Sequence, residues 1–187
     1  MLSLVLRIVS LVAFAGPMVL VTRHHGGSKT RGRQSGNRVP LVANVAAFGL
    51  FIPSLFMFSA DPADSTALLL APSGCFLALG GAALVLRSRA ALGPAWSFVP
   101  KADPGEGLVT TGPYRLVRHP IYLGLALLAM GEALAFGSWP ALLIVLSGIV
   151  PTFVWRAREE EKLLSRTFGE RYAVYRQQTR MIIPHLL

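Results

Sequence analysis

Residues 112–137, GPYRLVRHPIYLGLALLAMGEALAFG, decide the fold class. A Gly-Pro turn with Arg115 and Arg118 runs up to His119-Pro120, and an apolar stretch follows at once. Proline suits the first turn of a helix, because its missing N–H would be unpaired there anyway. From His119 to Gly137 the chain carries one carboxylate, Glu132, and no Lys or Arg. That pattern predicts a membrane-crossing helix whose polar start lies at one surface. Four further apolar segments flank it: Leu2–Val21, Val39–Ala60, Ala67–Leu86 and Trp139–Trp155. Ser138-Trp139-Pro140 joins the last two spans as a tight hairpin. In the first, Ala13-Phe14-Ala15 has the form of a signal cleavage site. However, Arg7 is its one early charge and apolar residues continue to Val21, which fits an uncleaved span.

Composition agrees. Hydrophobic residues make up 53% of the 187 and charged ones 14%, against about 25% charged in an ordinary soluble domain. Mean hydropathy is +0.54. Disorder, a disulfide scaffold and a soluble nucleic-acid-binding domain are excluded. The expected fold is all-α: a polytopic membrane helical bundle of about five transmembrane helices, with a cytosolic loop and a C-terminal amphipathic helix. No internal repeat or separate soluble domain is visible.

Charge sets the orientation. The chain holds 18 Lys+Arg against 9 Asp+Glu, a net +9. With five spans, every Lys and Arg except Arg7 falls on one side, and the positive-inside rule makes that side the cytosol. The N-terminus is then outside and the C-terminus inside. The Arg23–Arg38 loop, with His24 and His25, reads as a flexible, topology-setting segment touching anionic headgroups. Two adjacent histidines without a third ligand do not make a metal site, and no metal is expected. Cys75 stands alone in an apolar run, a buried thiol with no disulfide partner in the chain.

Three places carry chemistry-bearing residues. Between Arg87 and Arg118, Pro and Gly are too dense for a helix. Irregular backbone so near a bilayer is tolerated where it packs on protein or lines a cavity, so this loop is expected to shape a site. Arg118 and His119 then stand beside the free N–H groups of a helix start, a place suited to a carboxylate or other anion. Interfacial anchoring by Arg115, Arg118 and Tyr122 is the alternative. The second place is the tail, residues 155–176, where Leu164, Phe168, Tyr172 and Tyr175 form a helical apolar stripe. A basic helix lying on the membrane would look the same, with Gly169 as a weak point inside it. Left over is Glu159-Glu160-Glu161, three carboxylates beside an anionic surface, which suit a cation or a ribose unless they form a solvated salt-bridged face. Glu132 is the third place; about 20 Å of helix separates it from His119, which puts it outside the site.

Together, Leu92-Gly93, Trp96-Ser97, Leu108-Val109-Thr110, Gly112-Pro113-Tyr114-Arg115, Arg118-His119-Pro120, Tyr122 and Gly124 resemble the isoprenylcysteine carboxyl methyltransferases and their relatives, the phospholipid N-methyltransferases. The tail continues the likeness with Glu160-Glu161, Leu164, Phe168-Gly169, Tyr172, Tyr175 and Ile183-Pro184. The resemblance implies a membrane methyltransferase that uses S-adenosylmethionine without a soluble Rossmann-type domain. It implies that Arg118, His119, Pro120, Ile121, Tyr122, Gly124, Glu160, Glu161 and Tyr172 hold that cofactor. Catalytic candidates are Arg115, His119, Glu161 and Arg176: an arginine would orient a carboxylate acceptor, and His119 or a glutamate would take the proton of an amine. The acceptor, a lipophilic carboxylate, thiol or amine, would arrive sideways from the bilayer. Residues 84–187 form the expected methyltransferase core. Residues 1–83 carry no motif of the family and are expected to hold acceptor selectivity. A small, basic five-span chain suggests a prokaryotic inner membrane, where prenylated proteins are not the expected substrate. Membrane sterol or steroid reductases, which use NADPH, share an Arg-His-Pro-x-Tyr element. The Gly112–Arg115 run and the paired glutamates favour methyl transfer over that reading and over a non-catalytic scaffold.

Overall fold

Seven helices and one minimal strand pair make up the described part of the chain. This computed structural model describes residues 1–22, 34–35, 39–93, 101–102 and 107–183. The His24-His25 loop with Arg38, Trp96-Ser97, Asp103–Glu106 and Pro184 lie outside the described residues. In chain order the elements are α1 (Leu2–Thr22), β1 (Gln34–Ser35), α2 (Val39–Met57), α3 (Ser65–Leu92), β2 (Lys101–Ala102), a 3-10 turn (Gly112–Arg115), α4 (Pro120–Ala135), α5 (Trp139–Ile144), a π-turn (Val145–Ile149), α6 (Val150–Phe168) and α7 (Glu170–Gln178). The two strands pair antiparallel, Gln34 opposite Ala102 and Ser35 opposite Lys101, and so tie the first basic loop to the long one.

The all-α membrane bundle expected from the sequence is what the chain forms. Val39–Met57, Ser65–Leu92 and Trp139–Phe168 are long and apolar enough to cross a membrane, and Leu2–Pro17 and Pro120–Ala135 are shorter apolar stretches. One boundary differs in kind. The second arm of the hairpin does not stop at Trp155: α5, the π-turn and α6 form one continuous rod to Phe168. Its apolar part ends at Trp155 and its charged part continues beyond, so the amphipathic tail starts as an extension of a span. The rod breaks at Gly169, whose φ of +52° only glycine adopts without strain, and α7 turns back from there.

Helix α4 is held by backbone-to-backbone packing on α3. A Cβ on Gly74 would lie 2.6 Å from the Gly131 carbonyl oxygen, and one on Gly131 would lie 2.5 Å from the Ala78 nitrogen. One turn-pair further along, a Cβ on Gly81 would lie 2.6 Å from the Gly124 carbonyl oxygen. In a bilayer, where no hydrophobic effect drives helices together, small residues that permit such approach set the interface. Ala78, Ala82, Val85 and Leu128 fill the seam between these glycines. On the other side of the bundle, Phe51 and Leu55 of α2 pack with Val145, Ile149 and Phe153 of the long rod, and Tyr122 joins them from α4.

The end of α4 away from His119 is closed by polar contacts. Arg7 is buried, donating from Nε to the Ala135 carbonyl at 3.1 Å and from Nη2 to the Ala60 carbonyl at 2.9 Å. A guanidinium there caps the carbonyls that a helix C-terminus leaves unpaired. Ser138 donates to the Ser54 carbonyl at 3.0 Å, and Ser10 to Glu132 Oε2 at 3.2 Å. Glu132 therefore sits in this end layer, apart from His119, as its sequence position indicates.

The seam is testable with neighbouring glycines. Gly131→Ala is expected to lower unfolding free energy by about 2 kcal/mol, an overpacking cost. Gly80→Ala, whose Cβ meets nothing within 4 Å, should be neutral or slightly stabilising. Thermal unfolding in detergent measures both; equal behaviour would overturn the seam.

Candidate active site

The site begins where the chain enters α4. Gly112, at φ +61°, starts the 3-10 turn. His119 then stands at the N-cap with Pro120 in the first turn of α4. The chain end returns to this point. Val117 bridges Arg180 in parallel, the Arg118 N–H donates to the Arg180 carbonyl at 2.8 Å, and the His119 N–H donates to the Met181 carbonyl at 2.9 Å. The N–H groups of Arg118 and His119 are thus satisfied by backbone, and those of Tyr122 and Leu123 donate to the His119 carbonyl at 3.1 and 3.3 Å.

Those side chains meet α6. Arg118 Nε lies 2.6 Å from Glu161 Oε1, and its Nη1 donates to the carbonyls of Thr179 and Arg176. The His119 ring is wedged between the two carboxylates, Nδ1 3.5 Å from Glu160 Oε2 and Nε2 3.6 Å from Glu161 Oε1. Tyr122 donates its hydroxyl proton to Glu160 Oε1. Arg156 Nε approaches the same Glu160 oxygen at 3.6 Å, and its guanidinium lies over the Tyr122 ring, 5.4 Å from the centroid. From His119 an aromatic column leads inward: His119 stacks on Tyr122 at 5.6 Å, and Tyr122 on Phe153 at 5.2 Å. Helix α7 covers the outside, with Tyr175 donating to the Tyr114 carbonyl at 2.7 Å.

Buried charges persist only when paired. Burial by itself would push the His119 imidazole down, but the Glu160 and Glu161 carboxylates outweigh it and hold its pKa above the ordinary value. Burial likewise opposes ionisation of Glu161, yet His119 and Arg118 hold its carboxyl at about 2. Glu160 is lowered in the same manner, against its own burial, by His119, Arg156 and Tyr122. The cluster is therefore two carboxylates, two guanidinium groups and an imidazole whose protonated form the carboxylates favour. Among the described residues, buried His119 Nε2 finds only its longer ionic contact and the buried Tyr172 hydroxyl finds no hydrogen-bond partner.

Of the residues named from the sequence, Arg118, His119, Tyr122, Glu160 and Glu161 come together directly. Pro120 and Ile121 are buried in the same first turn, and Tyr172 is buried beside Glu161. Two others stand apart. Arg115 is exposed on the 3-10 turn, and Gly124 packs into the α3 seam, where a Cβ would meet Val85 at 2.7 Å. Arg176 is exposed and lines an open cavity of about 380 Å³ with Ser165, Gly169, Tyr172, Ala173 and Gln177. The glutamate run divides: Glu159 pairs with Lys162 at 2.6 Å and takes no part in the cluster. Sequence reasoning missed Arg156 and Phe153. Their signal was spacing, since Phe153 precedes Ala157 and Glu161 by four and eight, and Arg156 precedes Glu160 by four.

A family model described as phospholipid methyltransferase matches residues 70–171. A protein-S-isoprenylcysteine O-methyltransferase of Schizosaccharomyces pombe is 34% identical over 113 residues, 58% of this chain and 47% of that one. Its Saccharomyces cerevisiae counterpart is 30% identical over 136 residues, 72% of this chain and 56% of the relative. The chain thus spans about half the length of the curated relatives it matches. The solved structure of the eukaryotic intramembrane Ras methyltransferase ICMT superposes with a TM-score of 0.60 at 21% identity, covering 91% of this chain and 60% of that one. That likeness shows a shared fold.

The cluster's charges make its stability pH-dependent. His119, raised above 6.5, contributes fully below that value and loses its contribution as pH rises through its folded pKa. Glu161, lowered from 4.5 to about 2, contributes fully above 4.5 and loses it as pH falls toward 2. Glu161→Gln should therefore cost most between about 4.5 and 6.5, on the order of 3 kcal/mol for a broken buried pair, and less at pH 9. Detergent-phase thermal unfolding at pH 5.5 and pH 9 checks this; a cost independent of pH would refute the coupling.

Proposed function

The chain belongs to the phospholipid methyltransferase family, and on that premise we propose that it transfers a methyl group from S-adenosylmethionine to a lipophilic acceptor. The carrying observation is the meeting of His119 and Arg118 with Glu160 and Glu161 where α4 starts and the apolar part of the long rod ends. Those residues fit the cofactor. It has an amino group and ribose hydroxyls for the two carboxylates to accept from, and a carboxylate for cationic donors. His119 Nε2 and the Tyr172 hydroxyl are buried polar groups without a hydrogen bond among the described residues.

When bound, S-adenosylmethionine supplies a methyl group already activated by its sulfonium. The protein is left with alignment, which can provide ~7–11 kcal/mol. Arg118 fixes Glu161, His119 separates the two carboxylates, and Tyr122 fixes Glu160. Among acceptors, a carboxylate fits best. Glu160 and Glu161 favour the protonated, donor form of the His119 imidazole, and the same contacts lower both carboxyls, so the cluster is poorly suited to taking an amine's proton. A carboxylate needs no proton removed, and Arg176, at the mouth of the open cavity, suits its orientation, with Arg115 as the second candidate. Residues 1–83 would then set acceptor selectivity and 84–187 carry the core. The basic residues support an N-out, C-in topology with the site at the cytosolic face, as in a prokaryotic inner membrane. With a methyltransferase family matched, NADPH-dependent reduction and a passive scaffold have no supporting observation.

Purified protein, labelled S-adenosylmethionine and a lipid extract should yield an alkali-labile methyl ester. His119→Ala and Glu161→Gln should each lose at least about 100-fold in transfer while remaining membrane-inserted. Turnover at the wild-type level by both variants would remove the site assignment, and a wild type without transfer would remove the activity.

A further inference from the structure

A polar side chain within a membrane helix requires a partner, and Asn44 of α2 finds one on the long rod. Buried in the second turn of α2, it donates from Nδ2 to Thr152 Oγ1 at 2.9 Å. The Thr152 hydroxyl donates in turn to the Ile149 carbonyl at 2.8 Å. Ile149 is the last residue of the π-turn. Two hydrogen bonds in series thus link α2 to the end of the one wide turn among the described residues.

That turn governs where the site residues point. Six of the rod's eight buried residues, Ala141, Val145, Ile149, Phe153, Ala157 and Glu161, form a row in which each is four after the last; Arg156 and Leu163 flank it. In an α-helix of 3.6 residues per turn, a step of four advances about 40° around the axis, so five steps would carry Glu161 about 200° from Ala141. A wider turn takes up part of that advance and keeps the row on one face. Helix α2 packs around this turn on both sides. A Cβ on Gly148 would lie 3.6 Å from Ala47 Cβ, and Phe48 contacts Phe153, ring centroids 6.2 Å apart. Asn44 lies outside the family-matched stretch, and its side-chain hydrogen bond runs to Thr152 rather than to the charged cluster.

We infer that Asn44 is a positioning residue: through Thr152 it fixes the π-turn and with it the rotation of α6 that aims Phe153, Arg156, Glu160 and Glu161 at Tyr122, His119 and Arg118. Its kinetic consequence rests on the methyl-transfer reading above, whereas its structural consequence does not. An intramembrane hydrogen bond of this kind contributes modestly to stability, so the effect of removing it should appear in alignment rather than in folding.

The test uses the full chain in lipid nanodiscs. Asn44→Leu and Thr152→Val are each expected to lower kcat about tenfold and to raise KM for S-adenosylmethionine, with little change in thermal midpoint. The double variant should be no worse than either single one, and Thr152→Ser, which keeps the hydroxyl, should stay within about twofold of wild type. In parallel, spin labels on cysteines at the exposed positions Leu116 and Arg158, in a Cys75→Ala background, report the rotation of α6 directly. Their separation should shift in Asn44→Leu and Thr152→Val and be unchanged in Thr152→Ser. Lower thermal stability with unchanged kcat and unchanged label separation would overturn the inference, as would losses that multiply in the double variant. If Asn44→Leu does not insert, the Thr152→Val and Thr152→Ser pair decides alone. A wild type without transfer would refute the activity, and the label separations would still decide the role of Asn44.

Discussion

Backbone contact between α3 and α4 is the constraint on which the molecule depends. Four glycines, Gly74 and Gly81 on one helix and Gly124 and Gly131 on the other, let the two chains approach more closely than any side chain would allow. Helix α4 is thereby placed with little freedom, and it carries decisive groups at both ends. His119 and Tyr122 stand at one end and Glu132 at the other, and ten of the sixteen residues of α4 are buried. A shift of α4 along this seam would move the His119 ring out of the gap between the two glutamates. Gly124 thus serves the site from a distance, by setting how near α4 lies to α3.

The second determinant is electrostatic. Glu160 and Glu161 project from a helix that has just left its apolar stretch, and two ionised carboxylates in that position carry a desolvation cost of several kcal/mol each. They are offset by groups from three other parts of the chain. Arg118 and His119 come from the start of α4, Tyr122 from its first turn, and carbonyls near Thr179 orient the arginine. Such a cluster resists rearrangement because moving one member strands the others. It also keeps both carboxylates charged at neutral pH, the state required to hold a cationic or polyhydroxylated ligand.

Much of this was legible in the sequence, and what was not has physical reasons. The spans follow from runs of apolar residues, and the start of α4 follows from His119-Pro120 because proline leaves few other positions. Gly169 was readable as a break within a helical pattern. The convergence of Arg118, His119 and the paired glutamates came from family resemblance rather than from spacing, since each element alone also fits interfacial anchoring. Arg156 was hidden because every charge in residues 155–162 looks alike until the buried face of α6 is known. The pairing of Arg118 and His119 with the chain end was hidden for a deeper reason. It uses the carbonyls of Arg180 and Met181, and a carbonyl has no residue type. The π-turn likewise leaves no signature beyond a row of buried residues at intervals of four.

The return of residues 179–181 to the start of α4 has a consequence for biosynthesis. Translation delivers residues 179–181 after the apolar helices described above. While the spans insert, Arg118 lacks the Thr179 acceptor and the N–H groups of Arg118 and His119 lack their carbonyls. The charged cluster is therefore completed only after the helices that frame it have been made.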